Sequence, residues 1–392
     1  MKHVLKCTGY DVFDIDIVKG TGCYLYDADA KEYVDFEAGV WCTALGHSNL
    51  RINNAIKEQL DNILHLGYKY NNTIVEGAAE KVLELIGFKD GKSVFLSSGS
   101  EAVEFGVQAI RRITQKPLML TLSGAYLAAF GSAGRKTESE WVIFDWTNCE
   151  SCSQPEDDCM SCKCLKELSL EDIGGIVFEP GNSSGLIKLP PQKLVNTLGK
   201  LIKSNNGILM VNEVTTGFGR TGKWFGFQYY DIEPDIVAMG KSIGNGYPVS
   251  TVAFTKDIAL LLERHGFRYA QSHQNDALGC KVISEVIDII KEDNLIEKGN
   301  NKGVFFKALL DKLAVENICI KEVRGRGLML GLEFDSNMSS SYSALVHRKL
   351  FENGYFVGYN ATANILRFYP SLIIEENDIE RMVNCLEGII KV

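Results

Sequence analysis

The chain has 392 residues, with 41 Lys and Arg against 50 Asp and Glu, a net charge of −9. That acidic balance argues against a nucleic-acid binder or a protein that docks on an anionic membrane. With 45% hydrophobic and 23% charged residues the composition is that of a globular protein, no apolar run reaches the roughly 18 residues of a membrane span, and the opening MKHVLKCTGYDVFDID lacks a signal-peptide core. The expectation is a soluble, cytoplasmic protein whose 11 Cys are reduced thiols or metal ligands rather than a disulfide framework.

Taken in chain order, short apolar runs at 93–96, 118–122, 141–144, 175–178, 208–211, 236–239 and 251–254 alternate with amphipathic helical patterns. Runs of that kind, flanked by polar or Gly-rich residues, predict strands buried on both faces, joined by helices into a mostly parallel sheet. After a long helical pattern around 282–290 the signal changes to strands at 321–323 and 328–334, a helix at 341–353, a strand at 365–368 and a closing helix from Glu376. This α+β pattern predicts a second, smaller domain.

Open α/β sheets place ligands at the carboxyl ends of their strands, so the residues just after the apolar runs are the candidates for chemistry. Three junctions stand out: SSGSEA at 97–102, NEVTTG at 212–217 and GKS at 240–242. A Ser-Gly-Ser turn opening a helix offers backbone N–H groups and a positive dipole end to a phosphate, although the same residues also serve as ordinary helix caps. Lys241, among small residues, is an amine nucleophile if desolvated and a solvated loop lysine if not.

The segment ILMVNEVTTGFGRTGKWFGFQYYDIEPDIVAMGKSIGNGYPVS resembles the signature of the class III, fold-type I pyridoxal-phosphate (PLP) aminotransferases, the ornithine, acetylornithine and 4-aminobutyrate enzymes among them. YLYDADAKEYVDFEAGVWCTALGH, FLSSGSEAVE, GAYLAAFG, FEPGNSSG, SHQNDALGC, VRGRGLMLGLEF and LRFYPSLII resemble further segments in the family's order. The resemblance implies an α/β fold with a large domain built on a mostly parallel seven-stranded sheet and a smaller α+β domain. It divides the chain into 1–48 joining the small domain, 49–292 as the PLP-binding domain, and 293–392. It also implies a homodimer with shared active sites.

Carried over by position, Lys241 resembles the lysine that forms the Schiff base with PLP and moves the substrate proton. Gly99 and Ser100 fall where backbone amides hold the phosphate, Ser272 where a Thr reaches the phosphate of the neighbouring subunit, and Tyr126 where an aromatic stacks on the ring. Arg367 corresponds to the arginine that binds the substrate α-carboxylate, a task suited to a planar, permanently charged fork. Trp41 resembles an aromatic of the substrate pocket, with plain burial as its alternative. Glu179 matches the first acid of a Glu-Pro motif.

The chain departs from the family around that same pocket. Asn212 stands where an Asp normally keeps the PLP ring nitrogen protonated, so the electron sink should be weaker; each lost unit of pKa support is worth about 1.4 kcal/mol. Thr215 replaces a Gln that contacts the phenolic oxygen, and Leu127 a His. The stretch 179–185 lacks a second acid that would pair with Arg367. An α-amino acid held by its carboxylate is therefore expected rather than an ω-amine.

Cys149, Cys152, Cys159, Cys162 and Cys164 lie in an insertion at about 147–165 that the family pattern does not explain. Paired CxxC motifs can close on one tetrahedral ion, so structural zinc is expected, with an iron–sulfur cluster or unligated thiols as alternatives. The reading is thus a PLP-dependent aminotransferase acting between an amino acid and a 2-oxo acid. Its rivals are a racemase, epimerase or lyase on the same fold, and a weakly catalytic metal-binding or interaction protein.

Overall fold

The computed structural model describes residues 3–5, 7–9, 12–149, 152, 159, 162–182, 184–339 and 341–391. The large sheet contains β4 (Lys92–Leu96), β5 (Leu118–Leu122), β6 (Trp141–Phe144), β7 (Ile173–Phe178), β8 (Ile208–Asn212), β9 (Ile236–Met239) and β10 (Ser250–Phe254), after three N-terminal strands β1 (Ile17–Thr21), β2 (Tyr24–Asp27) and β3 (Glu32–Asp35). Its order is β4-β10-β9-β8-β7-β5-β6. Only β10 among these runs antiparallel to its neighbours, so the sheet is mostly parallel, as expected.

Alternation along each strand builds two cores. Leu120, Ile176, Leu209, Val237 and Ala253 point to one face, while Met119, Val177, Met210, Ala238 and Val252 point to the other. Every residue of β7, β8, β9 and β10 is buried, which is why these strands read as unbroken apolar runs rather than alternating ones. The Gly99–Thr114 helix covers one face. The Ala277–Glu292 helix covers the other, packed with Leu50–Asn62 and Thr73–Ile86.

The C-terminal part carries a second sheet, β11 (Ile320–Arg326), β12 (Met329–Phe334), β14 (Gly358–Asn360) and β15 (Ile365–Phe368), in the order β11-β12-β15-β14. The two-residue strand β13 (Tyr355–Phe356) pairs parallel with β3 and so completes a third sheet from both chain ends. Backbone bonds from Tyr369 N–H to the Phe36 carbonyl (2.8 Å) and from Leu372 N–H to the Ala44 carbonyl (2.8 Å) sew these pieces together. The result places Trp41 and Arg367, 326 residues apart in sequence, on one wall above the carboxyl ends of β7, β8 and β9.

Candidate functional site

A cavity of about 870 Å³ lies where β5, β7, β8 and β9 end, lined among others by Ser98, Gly99, Ser100, Tyr126, Glu179, Asn212, Thr215, Lys241, Arg367 and Trp41. All three junctions singled out by sequence therefore converge. Ser272, in contrast, is exposed on a turn and does not line this cavity.

The helix from Gly99 supplies the anion end of the site. Ser98 caps it, its Oγ accepting from the Glu101 N–H at 3.2 Å, and Ser100 Oγ accepts from the Ala129 N–H at 2.9 Å. Ser98 thus does act as a cap, whereas Ser100 ties the helix start to the Ala129 segment, and the Gly99 and Ser100 N–H groups, which have no partner within a helix, remain available to an anion. A Cβ on Gly99 would stand 2.6 Å from Val214 Cγ1, so only glycine lets the helix start this close to β8.

Lys241 follows β9 with φ of 50°, a left-handed conformation that turns the side chain into the cavity instead of continuing the strand. Its neighbours are fixed: Ser242 Oγ donates to the Trp41 carbonyl at 2.9 Å. Burial pushes the amine below its ordinary pKa, partly offset by Cys42 and Glu179 and reinforced by the Arg367 charge. That raises the fraction of neutral, nucleophilic amine.

Tyr126 is 46% exposed and lines the cavity, its N–H donating to Glu179 Oε2 at 3.0 Å. Thr215 Oγ1 donates to the other Glu179 oxygen at 3.5 Å. Asn212, 2% exposed at the end of β8, accepts from the Val214 N–H at 3.1 Å and donates to the Tyr126 carbonyl at 3.3 Å. Its neighbour Glu213 turns away to the Thr216 hydroxyl and the Gly226 and Phe227 N–H groups, and burial raises its carboxyl to about 7.

Opposite stands Arg367 on β15, 7% exposed, with Nη2 donating to the Tyr359 carbonyl at 3.1 Å and Nε buried without a partner. A buried guanidinium with an unspent donor is suited to an anionic ligand. Trp41 stacks on Tyr369 at 3.8 Å with the rings 6° from parallel. It reaches that position through a left-handed turn in which Ala38, Gly39, Val40 and Trp41 all have positive φ.

Sequence reasoning did not single out Glu37, Tyr369 or Cys42. Tyr369 donates to Glu37 Oε1 at 2.7 Å, and Glu37 also lines the cavity. Burial raises the Glu37 carboxyl, while Tyr369 and the Arg367 charge lower it. The missing second acid after Glu179 is thus not the last word on Arg367, because a carboxyl from a distant segment shares its cavity. Tyr369 lies in the quoted LRFYPSLII and Glu37 in the quoted EAGVWC, yet their pairing depends on contact between the two chain ends.

In the Cys-rich insertion, residues 150, 151, 153–158, 160 and 161 lie outside the described residues, as does Ser183 of the 179–185 stretch. The Cys152 N–H donates to the Cys149 carbonyl (3.4 Å) and the Cys162 N–H to the Cys159 carbonyl (3.1 Å). Burial and the neighbouring Cys159, Cys162, Cys152 and Cys164 raise the Cys149 thiol to about 11. Among the described residues, however, no three of these sulfurs lie close enough together to share an ion. The group that does is the partly exposed His65, His273 and Asp276, away from the cavity.

An anion cradle, a desolvated amine and a slot walled by Tyr126 and Val214 fit PLP. A family model described as aminotransferase class III matches residues 7–390, and the chain belongs to that family. It is a PLP-dependent aminotransferase of fold type I. It is 28% identical over 389 residues to an acetylornithine aminotransferase of Methanocaldococcus jannaschii, covering 97% of this chain and 94% of that protein. To a [LysW]-aminoadipate semialdehyde/glutamate semialdehyde transaminase of Sulfolobus acidocaldarius it is 29% identical over 384 residues, covering 96% and 95%. Among solved structures, an S-selective transaminase from Arthrobacter sp. superposes with a TM-score of 0.91 at 24% identity, covering 100% of this chain and 96% of that one. No described helix is long and apolar enough to cross a membrane.

Proposed function

We propose that this aminotransferase exchanges the amino group of an α-amino acid with a 2-oxo acid, binding both through the α-carboxylate at Arg367. The observation that carries this reading is the buried Arg367 guanidinium, with one unpartnered N–H, in the same cavity as the desolvated Lys241. PLP, when bound, supplies the aldehyde that takes up the amino group and the ring that accepts electrons from the substrate carbon.

The chain's own residues do the rest. Gly99 and Ser100 would hold the phosphate with backbone N–H groups at the helix start, Tyr126 would cover one face of the ring, and Thr215 would serve its phenolic oxygen. Lys241 would hold the aldehyde end of the cofactor and, as a free amine, would move the proton at the substrate carbon. Trp41, braced by Tyr369, walls the substrate side and excludes water. Ser272, exposed and outside its own cavity, serves the phosphate of a second subunit in a homodimer. The division at 48/49 and 292/293 and a cytoplasmic location belong to the same reading.

Structural zinc at the Cys-rich insertion rests on the CxxC spacing and on the turns closing at Cys152 and Cys162. A racemase or epimerase is the second reading, favoured by the neutral Asn212. A substrate screen that follows conversion of the bound cofactor to its amine form decides between them. Amino acids that convert the cofactor and release a 2-oxo acid support transamination, whereas inversion of the α-carbon without that conversion contradicts it.

A further inference from the structure

Two tethers fix how the cofactor lies. Its phosphate goes to the start of the Gly99–Thr114 helix, and its aldehyde goes to Lys241. The ring nitrogen is para to the aldehyde and so would point away from Lys241, toward the strand ends. Asn212, on β8 beside β9, is the buried polar side chain of the cavity floor there.

Two backbone groups set the orientation of the Asn212 amide. The Val214 N–H, at 3.1 Å, requires an acceptor and so faces Oδ1. The Tyr126 carbonyl, at 3.3 Å, requires a donor and so faces Nδ2. Exchanging the two would set N–H against N–H and oxygen against oxygen. One amide N–H remains unspent after these bonds.

The described carboxylates that line or adjoin the cavity are each engaged by other groups. Glu213, the adjacent residue, is committed on the far side to Thr216, Gly226 and Phe227. Glu179 is bonded to the Tyr126 N–H and approached by the Thr215 hydroxyl, and Glu37 to Tyr369. Arg367 already brings a permanent positive charge to the cavity. A positive charge on the ring nitrogen, beside a neutral amide in a buried place, lacks the adjacent carboxylate that would stabilise it.

We propose that Asn212 donates its free N–H to an unprotonated ring nitrogen of the cofactor, so that the enzyme operates with the neutral form of the ring. This rests on the reading that Lys241 carries PLP. A neutral ring withdraws electrons less strongly, so the substrate carbon is less acidified and more of the work of proton removal falls on Lys241. Asn212 is then a cofactor-positioning donor in place of a charge, and Tyr126 is tied to it through its own carbonyl.

The test loads the full-length protein with PLP carrying ¹⁵N in the ring and reads the nitrogen shift and its one-bond coupling to hydrogen across neutral pH. The expected result is an unprotonated shift without coupling in the unmodified protein, and a protonated shift in Asn212→Asp. A protonated nitrogen in the unmodified protein overturns the proposal, and it does so even if the Asp variant fails to fold. A bound cofactor that borohydride does not fix to Lys241 overturns the underlying cofactor reading as well, and that outcome is distinct from a fixed cofactor with a protonated ring.

Discussion

Replacing Arg367 by Ala separates substrate anchoring from cofactor chemistry. In the folded chain the guanidinium makes one bond, to the Tyr359 carbonyl at 3.1 Å, and keeps Nε buried and unpartnered. A substrate carboxylate would therefore be its main partner. Hydrogen bonds to charged groups contribute about 1.5–3 kcal/mol, and losing a two-pronged one should cost about 3 kcal/mol of transition-state binding. At about 1.4 kcal/mol per decade this is a fall in kcat/KM of about a hundredfold. Stopped-flow measurement of the amino-acid half-reaction reads it directly, with an amine lacking a carboxylate as control. Stability should change little, because only about 1 kcal/mol of hydrogen bonding is lost and a buried charge is removed with it. An equal loss for the control amine, or no loss for α-amino acids, would refute the anchoring role.

Gly99→Ala should weaken PLP binding about five- to a hundredfold, since a Cβ 2.6 Å from Val214 Cγ1 forces a shift of the helix start costing about 1–3 kcal/mol; cofactor titration followed by absorbance checks this. Glu213, fully buried, has its carboxyl raised from 4.5 to about 7, so the folded state holds the proton more tightly than the unfolded chain. Its stabilising contribution is complete below pH 4.5 and lost as pH rises through 7, about 3 kcal/mol in all. Thermal melts across that window should show this slope, and Glu213→Gln should flatten it. Metal analysis should find about one zinc per chain, released by Cys152→Ser with Cys159→Ser while PLP stays bound; absence of metal from the unmodified protein would defeat that assignment.

The large sheet was legible because its central strands are buried on both faces, so Ile208–Asn212 and Ile236–Met239 carry an apolar signal that needs no context. The N-terminal strands were not. Ile17–Thr21 is largely exposed and Tyr24–Asp27 half-buried, and they gain order by joining β3 and the two-residue β13 from the far end of the chain. The same division holds for the site. Lys241, Asn212 and Gly99 sit at strand–loop or strand–helix junctions that local pattern exposes. Glu37 acquires its role only when Tyr369 is brought to it, 332 residues away in sequence. The Glu101 side chain, which accepts from the Ser97 N–H at 3.0 Å, shows how one junction can serve folding and ligand binding at once.

Borohydride reduction of the PLP-loaded protein, followed by peptide mapping, identifies the residue that carries the cofactor. The expected outcome is one modified residue, Lys241, because its amine is held in the cavity and pushed below its ordinary pKa by burial. Recovery of the label on another lysine, or no stable label at saturating cofactor, would contradict it.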